Sequence, residues 1–143
     1  MHQKKIEVCL SPDLFHLYED IENKVVVITD ILRATSTICS AFNRGAEKVI
    51  PVASVEEAQE LKNKGLRVAA ERNGKTVEGF EFGNSPAQLT NYDLTNETFV
   101  ITTTNGTKAI DLSKKASQII IGSFLNLAAT CEFLKEKNKD IIC

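Results

Sequence analysis

Short runs of β-branched residues alternate, from about residue 24 onward, with segments whose apolar residues recur at helical spacing. Several of the short runs are apolar at consecutive positions, which is typical of strands buried on both faces of a parallel sheet. The predicted strands are IEVCL from residue 6, KVVVITD from 24, KVIPVA from 48, RVAAER from 67, FVITTT from 99, QIIIGS from 118 and DIIC from 140.

Capping signals predict helices between these strands. SVEEAQELKNKG has Ser54 as a cap, Glu57 three residues later and Gly65 as its stop. TSTICSAFNRGA opens with hydroxyl residues that can cap a helix, and it closes at Gly45. The other predicted helices are NSPAQLTNY from residue 84, with Pro86 at the first helical position, TKAIDLSKK from 107 and NLAATCEFLKEKN from 126.

This series of strands and helices predicts an α/β fold. Right-handed crossovers would wind a mostly parallel sheet into a three-layer α/β/α arrangement. The chain ends inside DIIC, which has the pattern of a buried strand. We therefore expect residues 1–143 to form a single α/β domain that is a truncated version of a longer chain, with its C-terminal part missing.

The composition narrows the classes of function. With 43% hydrophobic and 25% charged residues, the chain has the make-up of a soluble globular domain. A net charge of −2 and no basic stripe argue against nucleic-acid binding. The four cysteines lack Cys-x-x-Cys spacing, which argues against zinc and disulfides and favours a reducing cytoplasm. No apolar run approaches the length of a membrane span, so no membrane partner is expected.

In open α/β sheets the ligand crevice lies beyond the carboxyl ends of the strands, so the residues after each strand are the candidates for chemistry. Asp30 ends one strand, and a carboxylate there can hold a hard cation such as Mg²⁺. Arg33 suits an adjacent phosphate, as do the helix-opening hydroxyls of Thr35, Ser36 and Thr37. The alternative is structural: Asp30 caps the turn and Arg33 pairs with it.

Glu71 has the same relative position after RVAAE, so Asp30 and Glu71 could share one metal ion. The alternative is that Glu71 pairs with Arg72 or a lysine at the surface. A long glycine-containing connection follows, and its length favours a functional loop. It delivers Asn84 and Ser85 to the start of a predicted helix.

TTTNGT, at residues 102–107, forms the third junction. An Asn-Gly pair usually signals a hairpin, but the helical spacing of TKAIDLSKK favours a strand-to-helix junction that presents free N–H groups to an anion. Gly106 would supply a positive φ or a close approach of the backbone. The predicted anion-binding residues are Thr103, Thr104, Asn105, Gly106 and Thr107, with Ser123 and Asn126 at a fourth junction of the same kind.

Several common mechanisms lack their motifs. The chain contains neither a G-x-x-x-x-G-K-[ST] loop nor a G-x-G-x-x-G loop, and no histidine stands in a triad or metal-ligand spacing. The chain does contain the carboxylates, arginine and hydroxyls that metal-assisted chemistry on an anionic substrate requires.

Taken together, DILRATSTI, ERNG with GFEFGNSP, TTTNGT and GSFLN resemble the 2-phosphosulfolactate phosphatase family, which is known from coenzyme M biosynthesis. The resemblance implies a Mg²⁺-dependent phosphatase that hydrolyses 2-phospho-3-sulfolactate to 3-sulfolactate and phosphate. It implies Asp30 and Arg33 as catalytic residues and Asp30 with Glu71 as metal ligands, with the other junction residues around the substrate. The family's chains continue past the point that corresponds to Cys143.

Two alternatives stay open. Either a metal-activated water or a carboxylate could attack the phosphoryl group, although a haloacid-dehalogenase scheme is disfavoured because Leu32 stands where its second aspartate would be. The chain could instead be a non-catalytic phosphate- or metal-binding module, flavodoxin-like or receiver-like. The expected partner is a small anionic phosphate ester, and association into a homo-oligomer is left open.

Overall fold

A computed structural model describes residues 4–143. The strands are β1 (Ile6–Glu7), β2 (Val25–Ile28), β3 (Lys48–Pro51), β4 (Arg67–Arg72), β5 (Lys75–Thr76), β6 (Thr98–Thr102), β7 (Gln118–Ile121) and β8 (Ile141–Ile142). The α-helices are α1 (Ala34–Asn43), α2 (Val55–Asn63), α3 (Gly106–Leu112) and α4 (Leu127–Glu136). Short 3₁₀ helices span Pro12–Leu17, Ile21–Asn23, Pro86–Leu89 and Phe124–Asn126.

The first sheet has the strand order β1-β8-β2-β7, and all its pairings are parallel. All four residues of β2 are buried, as the run of consecutive apolar residues predicts. Val25 and Val27 contact Ile141 on one face, while Val26 and Ile28 contact Ile142 on the other. The strand that precedes Asp30 therefore lies inside the sheet and is covered on both faces.

The second sheet has the order β3-β6-β4-β5, in which only the β4–β5 pairing is antiparallel. The α/β class and the mostly parallel pairing are thus confirmed, but the strands form two four-stranded sheets where one was predicted. Ile110 of α3 and Ile121 of β7 pack against buried clusters from both sheets, so apolar contacts join the sheets.

Aromatic side chains fill the core of the second sheet. The Phe82 ring lies 6.2 Å from the Phe99 ring and 4.7 Å from the Tyr92 ring, in edge-on arrangements that favour aromatic pairs. Phe82 is almost fully buried, and its segment runs beside β4 through a parallel bridge between Phe82 and Ala69. This packing holds the long connection after β5 against the sheet.

The predicted signals of α2 are confirmed. The Ser54 hydroxyl accepts a hydrogen bond from the Glu57 N–H at 3.1 Å, which satisfies one of the free donors at the helix start. Gly65 lies just past the helix with a φ of +86°, the left-handed conformation that glycine adopts without strain.

Three boundary predictions need correction. NSPAQLTNY forms only the 3₁₀ turn Pro86–Leu89 in place of a longer helix, and IEVCL contributes only the two residues of β1. The helix predicted from Thr35 begins one residue earlier, at Ala34. Its hydroxyls turn back to the preceding loop: Ser36 Oγ donates to the Ile31 carbonyl at 2.8 Å and Thr37 Oγ1 to the Arg33 carbonyl at 3.2 Å.

A bidentate ion pair joins the start of β4 to the residue before β6. Arg67 Nε lies 2.6 Å from Glu97 Oε2, and Arg67 Nη2 lies 3.0 Å from Glu97 Oε1. The hydrogen bond from Arg67, together with its charge, lowers the pKa of the Glu97 carboxyl below its ordinary value, although burial opposes this.

We predict a pH-dependent loss of stability for Glu97→Gln. A carboxyl whose pKa is depressed by folding stabilises the fold above its unfolded pKa, about 4.3, and loses that effect as the pH falls through its lower folded pKa. The side chains are about one-third exposed, so the variant should lose less than about 1 kcal/mol at pH 7. Urea unfolding should show this difference shrinking to zero in acid, and a constant difference would contradict the assignment.

Candidate functional site

A cavity of about 310 Å³ lies where the segments that follow β2, β4 and β6 meet. Because β2 belongs to the first sheet and β4 and β6 to the second, the cavity draws on the carboxyl ends of both sheets. Its lining residues are Asp30, Leu32, Arg33, Glu71, Asn73, Gly74, Asn84, Thr104 and Asn105.

The segment from β2 supplies Asp30 and Arg33. Its backbone folds into the start of α1, because the Thr35 N–H donates to the Asp30 carbonyl at 2.9 Å and the Thr37 N–H to the Arg33 carbonyl at 3.0 Å. Arg33 Nη2 donates to the Gly74 carbonyl across the cavity at 3.3 Å. The predicted ion pair between Asp30 and Arg33 is not among the ion pairs of residues 4–143, so that structural alternative loses its basis.

Glu71 lies at the end of β4 with only 7% of its surface exposed. Its Oε1 accepts hydrogen bonds from the Gly74 N–H at 2.5 Å and from Thr104 Oγ1 at 3.3 Å. The neighbouring Arg72 does not pair with this carboxylate: it donates to the Glu71 backbone carbonyl and to Thr102 Oγ1. Within the described part of the chain the carboxylate forms no ion pair, which is contrary to the structural alternative.

The turn after Glu71 is a hairpin that the sequence analysis did not predict. Arg72 pairs with Lys75, so Asn73 and Gly74 form a two-residue connection, with φ values of +53° and +78°. Two positive φ angles are what a type I′ hairpin requires, and the Asn-Gly dipeptide was the signal that could have identified it. The Asn73 N–H donates to Thr104 Oγ1 at 3.3 Å, so the hairpin is connected to the end of β6.

The TTTNGT stretch forms the predicted strand-to-helix junction, but its side chains have different environments. Thr104 and Asn105 are exposed and line the cavity. Thr103 and Thr107 are buried and bind each other, because the Thr107 N–H donates to Thr103 Oγ1 and Thr107 Oγ1 donates to the Thr103 carbonyl. Their hydroxyls therefore stabilise the first turn of α3.

Gly106 does not adopt a positive φ, so its glycine is not explained by backbone conformation. A Cβ built at Gly106 would lie 2.5 Å from Ala34 Cβ, 3.1 Å from Asp30 Oδ2 and 3.2 Å from Thr103 Oγ1. Glycine at this position lets the junction after β6 approach the junction after β2. A close approach at Gly106 was predicted toward a bound anion, and the structure shows it between two segments of the protein.

The remaining predicted binding residues lie outside the cavity lining. Ser123 and Asn126 form a capping box, in which the Ser123 N–H donates to Asn126 Oδ1 at 2.8 Å, and Ser123 Oγ lies 3.3 Å from Cys39 Sγ on α1. Ser85 precedes the 3₁₀ turn at Pro86. Thr35, Ser36 and Thr37 belong to the first turn of α1, and the hydroxyls of the latter two bind backbone carbonyls.

Two buried side-chain polar atoms have no hydrogen-bond partner within residues 4–143: Thr35 Oγ1 and Asn84 Oδ1. Thr35 is 1% exposed and Asn84 is 4% exposed. A buried polar group left unpaired destabilises a protein by about 1–3 kcal/mol, so such atoms usually bind a water molecule, an ion or a ligand. Of the two, only Asn84 lines the cavity.

The charged groups of the cavity are two carboxylates, from Asp30 and Glu71, and one guanidinium, from Arg33. Oxygen donors of this kind are those that Mg²⁺ prefers. Among the described residues, no cluster of three or more His, Cys, Asp or Glu side chains could hold a metal ion, so a third protein ligand would have to be another residue type. A second cavity of about 330 Å³, mostly apolar, shares Asp30 and Asn105 with the first.

Comparison with known proteins shows the family of this chain. A sequence model for 2-phosphosulpholactate phosphatase matches residues 9–143. The chain belongs to the 2-phosphosulfolactate phosphatase family. The resemblance carried by the four junctions is thereby confirmed, and each of the three junctions that line the cavity lies within the matched residues.

Three relatives illustrate the similarity, each described as a probable 2-phosphosulfolactate phosphatase. The protein of Thermotoga maritima is 45% identical over 122 residues, which are 85% of this chain and 53% of the relative. That of Clostridium acetobutylicum is 43% identical over 141 residues, 96% of this chain and 60% of the relative. That of Clostridium perfringens is 40% identical over 144 residues, 96% of this chain and 58% of the relative.

The chain of this family member therefore spans between about half and three-fifths of the length of the curated relatives it matches. Across residues 4–143, the helices are all too short or too polar to cross a membrane.

We predict that Gly106→Ala destabilises the protein by crowding. The added methyl group would press on Ala34 and Asp30, and overpacking of this kind costs about 1–3 kcal/mol. Ala34→Gly in the same chain should recover part of the loss, because it removes the closest contact. Urea unfolding of the single and double variants measures both effects.

Gly65→Ala is the matched control, because a Cβ there meets nothing within 4 Å although φ is positive. Its loss should come from backbone strain alone, and Ala34→Gly should not reduce it. Equal behaviour of the two glycine variants toward Ala34→Gly would contradict the proposed contact between the junctions.

Proposed function

We propose that this chain provides the active site of a Mg²⁺-dependent phosphatase that hydrolyses 2-phospho-3-sulfolactate to 3-sulfolactate and inorganic phosphate. The observation that carries the proposal is the cavity in which Asp30, Arg33 and Glu71 converge, in a chain of the 2-phosphosulfolactate phosphatase family. Asp30 and Arg33 follow a strand of the first sheet and Glu71 lies in a strand of the second, and none of the three forms an ion pair within residues 4–143.

The donor set of the cavity fits a hard divalent cation. Asp30 and Glu71 supply carboxylate oxygens, and one oxygen of Glu71 is held in place by the Gly74 N–H and the Thr104 hydroxyl. Mg²⁺ binds through one or two carboxylates together with water and substrate phosphate, so two carboxylates are sufficient. When bound, the cation would neutralise negative charge on the phosphoryl oxygens as the ester bond breaks.

In this proposal Arg33 binds an anionic group of the substrate. One of its guanidinium nitrogens donates to the Gly74 carbonyl, and this contact fixes the side chain across the cavity. The other N–H groups can donate to a phosphate or a sulfonate in a forked arrangement that suits planar guanidinium. Thr104 and Asn105, which are exposed at the rim, can orient the same substrate.

The proposal extends to the setting of the enzyme. We propose coenzyme M biosynthesis, the route from which the family is known, as that setting. All four cysteines are free thiols, which suits the reducing cytoplasm. In this proposal a small anionic phosphate ester is the partner, and association into a homo-oligomer is left open.

We predict that Asp30→Asn abolishes Mg²⁺-dependent release of phosphate, by at least about 100-fold. The amide keeps the size of the side chain but removes the charge that would hold the cation. The assay measures phosphate released from 2-phospho-3-sulfolactate with and without Mg²⁺, and circular dichroism checks that the variant is folded.

Asp111→Asn, on the exposed face of α3, is the control for Asp30→Asn and should leave turnover unchanged. Unchanged turnover in Asp30→Asn would remove Asp30 from the mechanism. Binding of phosphate or Mg²⁺ by the wild-type chain without any release of phosphate would favour the non-catalytic binding module.

Arg33→Lys should weaken catalysis while it preserves the charge. Lysine cannot form the forked pair of hydrogen bonds, and the loss of one charged hydrogen bond corresponds to about a 10-fold fall in kcat/KM. Arg44→Lys, at the end of α1 and outside the cavity, provides the matched control. Steady-state kinetics that do not distinguish the two variants would make Arg33 a structural residue.

A further inference from the structure

The segment that carries Asn84 is fixed against the second sheet. The Ala70 N–H donates to the Phe82 carbonyl at 2.9 Å, and Ala69 and Phe82 form a parallel bridge. The Gly83 N–H donates to Gln88 Oε1 at 2.9 Å, and a Cβ on Gly83 would collide with Thr76 of β5. The two residues directly before Asn84 are therefore fixed against the second sheet.

This position brings Asn84 to the carboxylates of the cavity. Ala69 and Phe82 form the bridge between the two segments. Glu71 follows Ala69 by two residues, and Asn84 follows Phe82 by two residues. Because Ala69 and Glu71 both belong to β4, the Glu71 side chain points to the same face of the sheet as that of Ala69. Glu71 and Asn84 both line the cavity with Asp30.

The side-chain oxygen of Asn84 is the atom that needs an explanation. The residue is 96% buried, and its Oδ1 accepts no hydrogen bond from any group in residues 4–143. An amide oxygen is a neutral, hard ligand of the kind that Mg²⁺ and Ca²⁺ bind along with carboxylates. It would add a third oxygen to those of Asp30 and Glu71 without adding a third negative charge near the substrate.

We propose that Asn84 Oδ1 is a ligand of the divalent cation, alongside the carboxylates of Asp30 and Glu71. This proposal rests on the proposed function, because that function places a cation between the two carboxylates. It goes beyond that function by making Asn84, at the end of the long connection after β5, part of the metal site. An unpaired oxygen in so buried a place is then accounted for by the ligand it binds.

The test measures metal binding directly, without the enzymatic reaction. Mn²⁺, which electron paramagnetic resonance detects, replaces Mg²⁺, and its affinity is measured for the wild type and for Asn84→Leu, Asn84→Asp and Asp30→Asn. Asn84→Leu keeps the approximate shape of the side chain but has no oxygen. It should weaken Mn²⁺ binding by about 10-fold or more.

Asn84→Asp keeps an oxygen at the same place and should bind Mn²⁺ at least as tightly as the wild type does. In metal-free solution, its melting temperature should fall, because three carboxylates then share the cavity, and saturating Mn²⁺ should restore it. Asn84→Leu should melt no lower than the wild type without metal, because an unpaired polar atom is removed. Asn91→Leu, exposed on the same segment, is the control and should leave Mn²⁺ binding unchanged.

The outcomes separate this proposal from the proposed function. If Asp30→Asn loses Mn²⁺ and Asn84→Leu binds it like the wild type, Asn84 is not a ligand but the metal site stands. If neither the wild type nor any variant binds Mn²⁺, both the ligand assignment and the metal-dependent function fail. If Asn84→Asp instead loses affinity for inorganic phosphate while Asn84→Leu keeps Mn²⁺ binding, the amide donates to the anion and the proposal is wrong.

Discussion

The close contact between Gly106 and the start of α1 is the constraint on which the site depends. Asp30 follows a strand of the first sheet, whereas Glu71 and Thr104 follow strands of the second. A cavity between them forms only if the two junctions touch, and there is room at that contact for a hydrogen atom but not for a methyl group. Because protein interiors are closely packed, the position of Asp30 beside this junction depends on the absence of a side chain at Gly106.

The polar residues of the junctions divide into two groups by the partners they have. The first group has side chains that bind backbone groups or each other and stabilise the turns where strands become helices. Its members are Thr103, Thr107, Ser123 and Asn126. Thr104 and Glu71 belong to a second group, whose hydrogen bonds join the hairpin after β4 to the end of β6. Buried polar groups destabilise the protein unless they are hydrogen-bonded, so most hydroxyls near the site stabilise the fold.

The two Asn-Gly dipeptides show how the same local signal leads to different structures. Asn73-Gly74 forms a two-residue hairpin with positive φ at both residues, because β4 and β5 pair on either side of it. Asn105-Gly106 begins α3, because residues with helical spacing follow it and Ala34 packs against the glycine. The helical spacing after Asn105-Gly106 predicts the second structure correctly, whereas Asn73-Gly74 lies within a long connection that has no such flanking pattern.

The sequence by itself determined the α/β class, the buried character of β2, the capped ends of α2 and the strand-end carboxylates Asp30 and Glu71. These features follow from short-range physics: the spacing of apolar residues, the capping of free N–H groups and the conformational preferences of glycine. Only the tertiary structure decided that the strands form two sheets, that Thr104 lines the cavity while Thr103 does not, and that Asn84 lines the same cavity as Glu71 with an unpaired oxygen. Those outcomes depend on partners distant along the chain, such as Ala69 with Phe82 and Ala34 with Gly106, and no local pattern encodes such contacts.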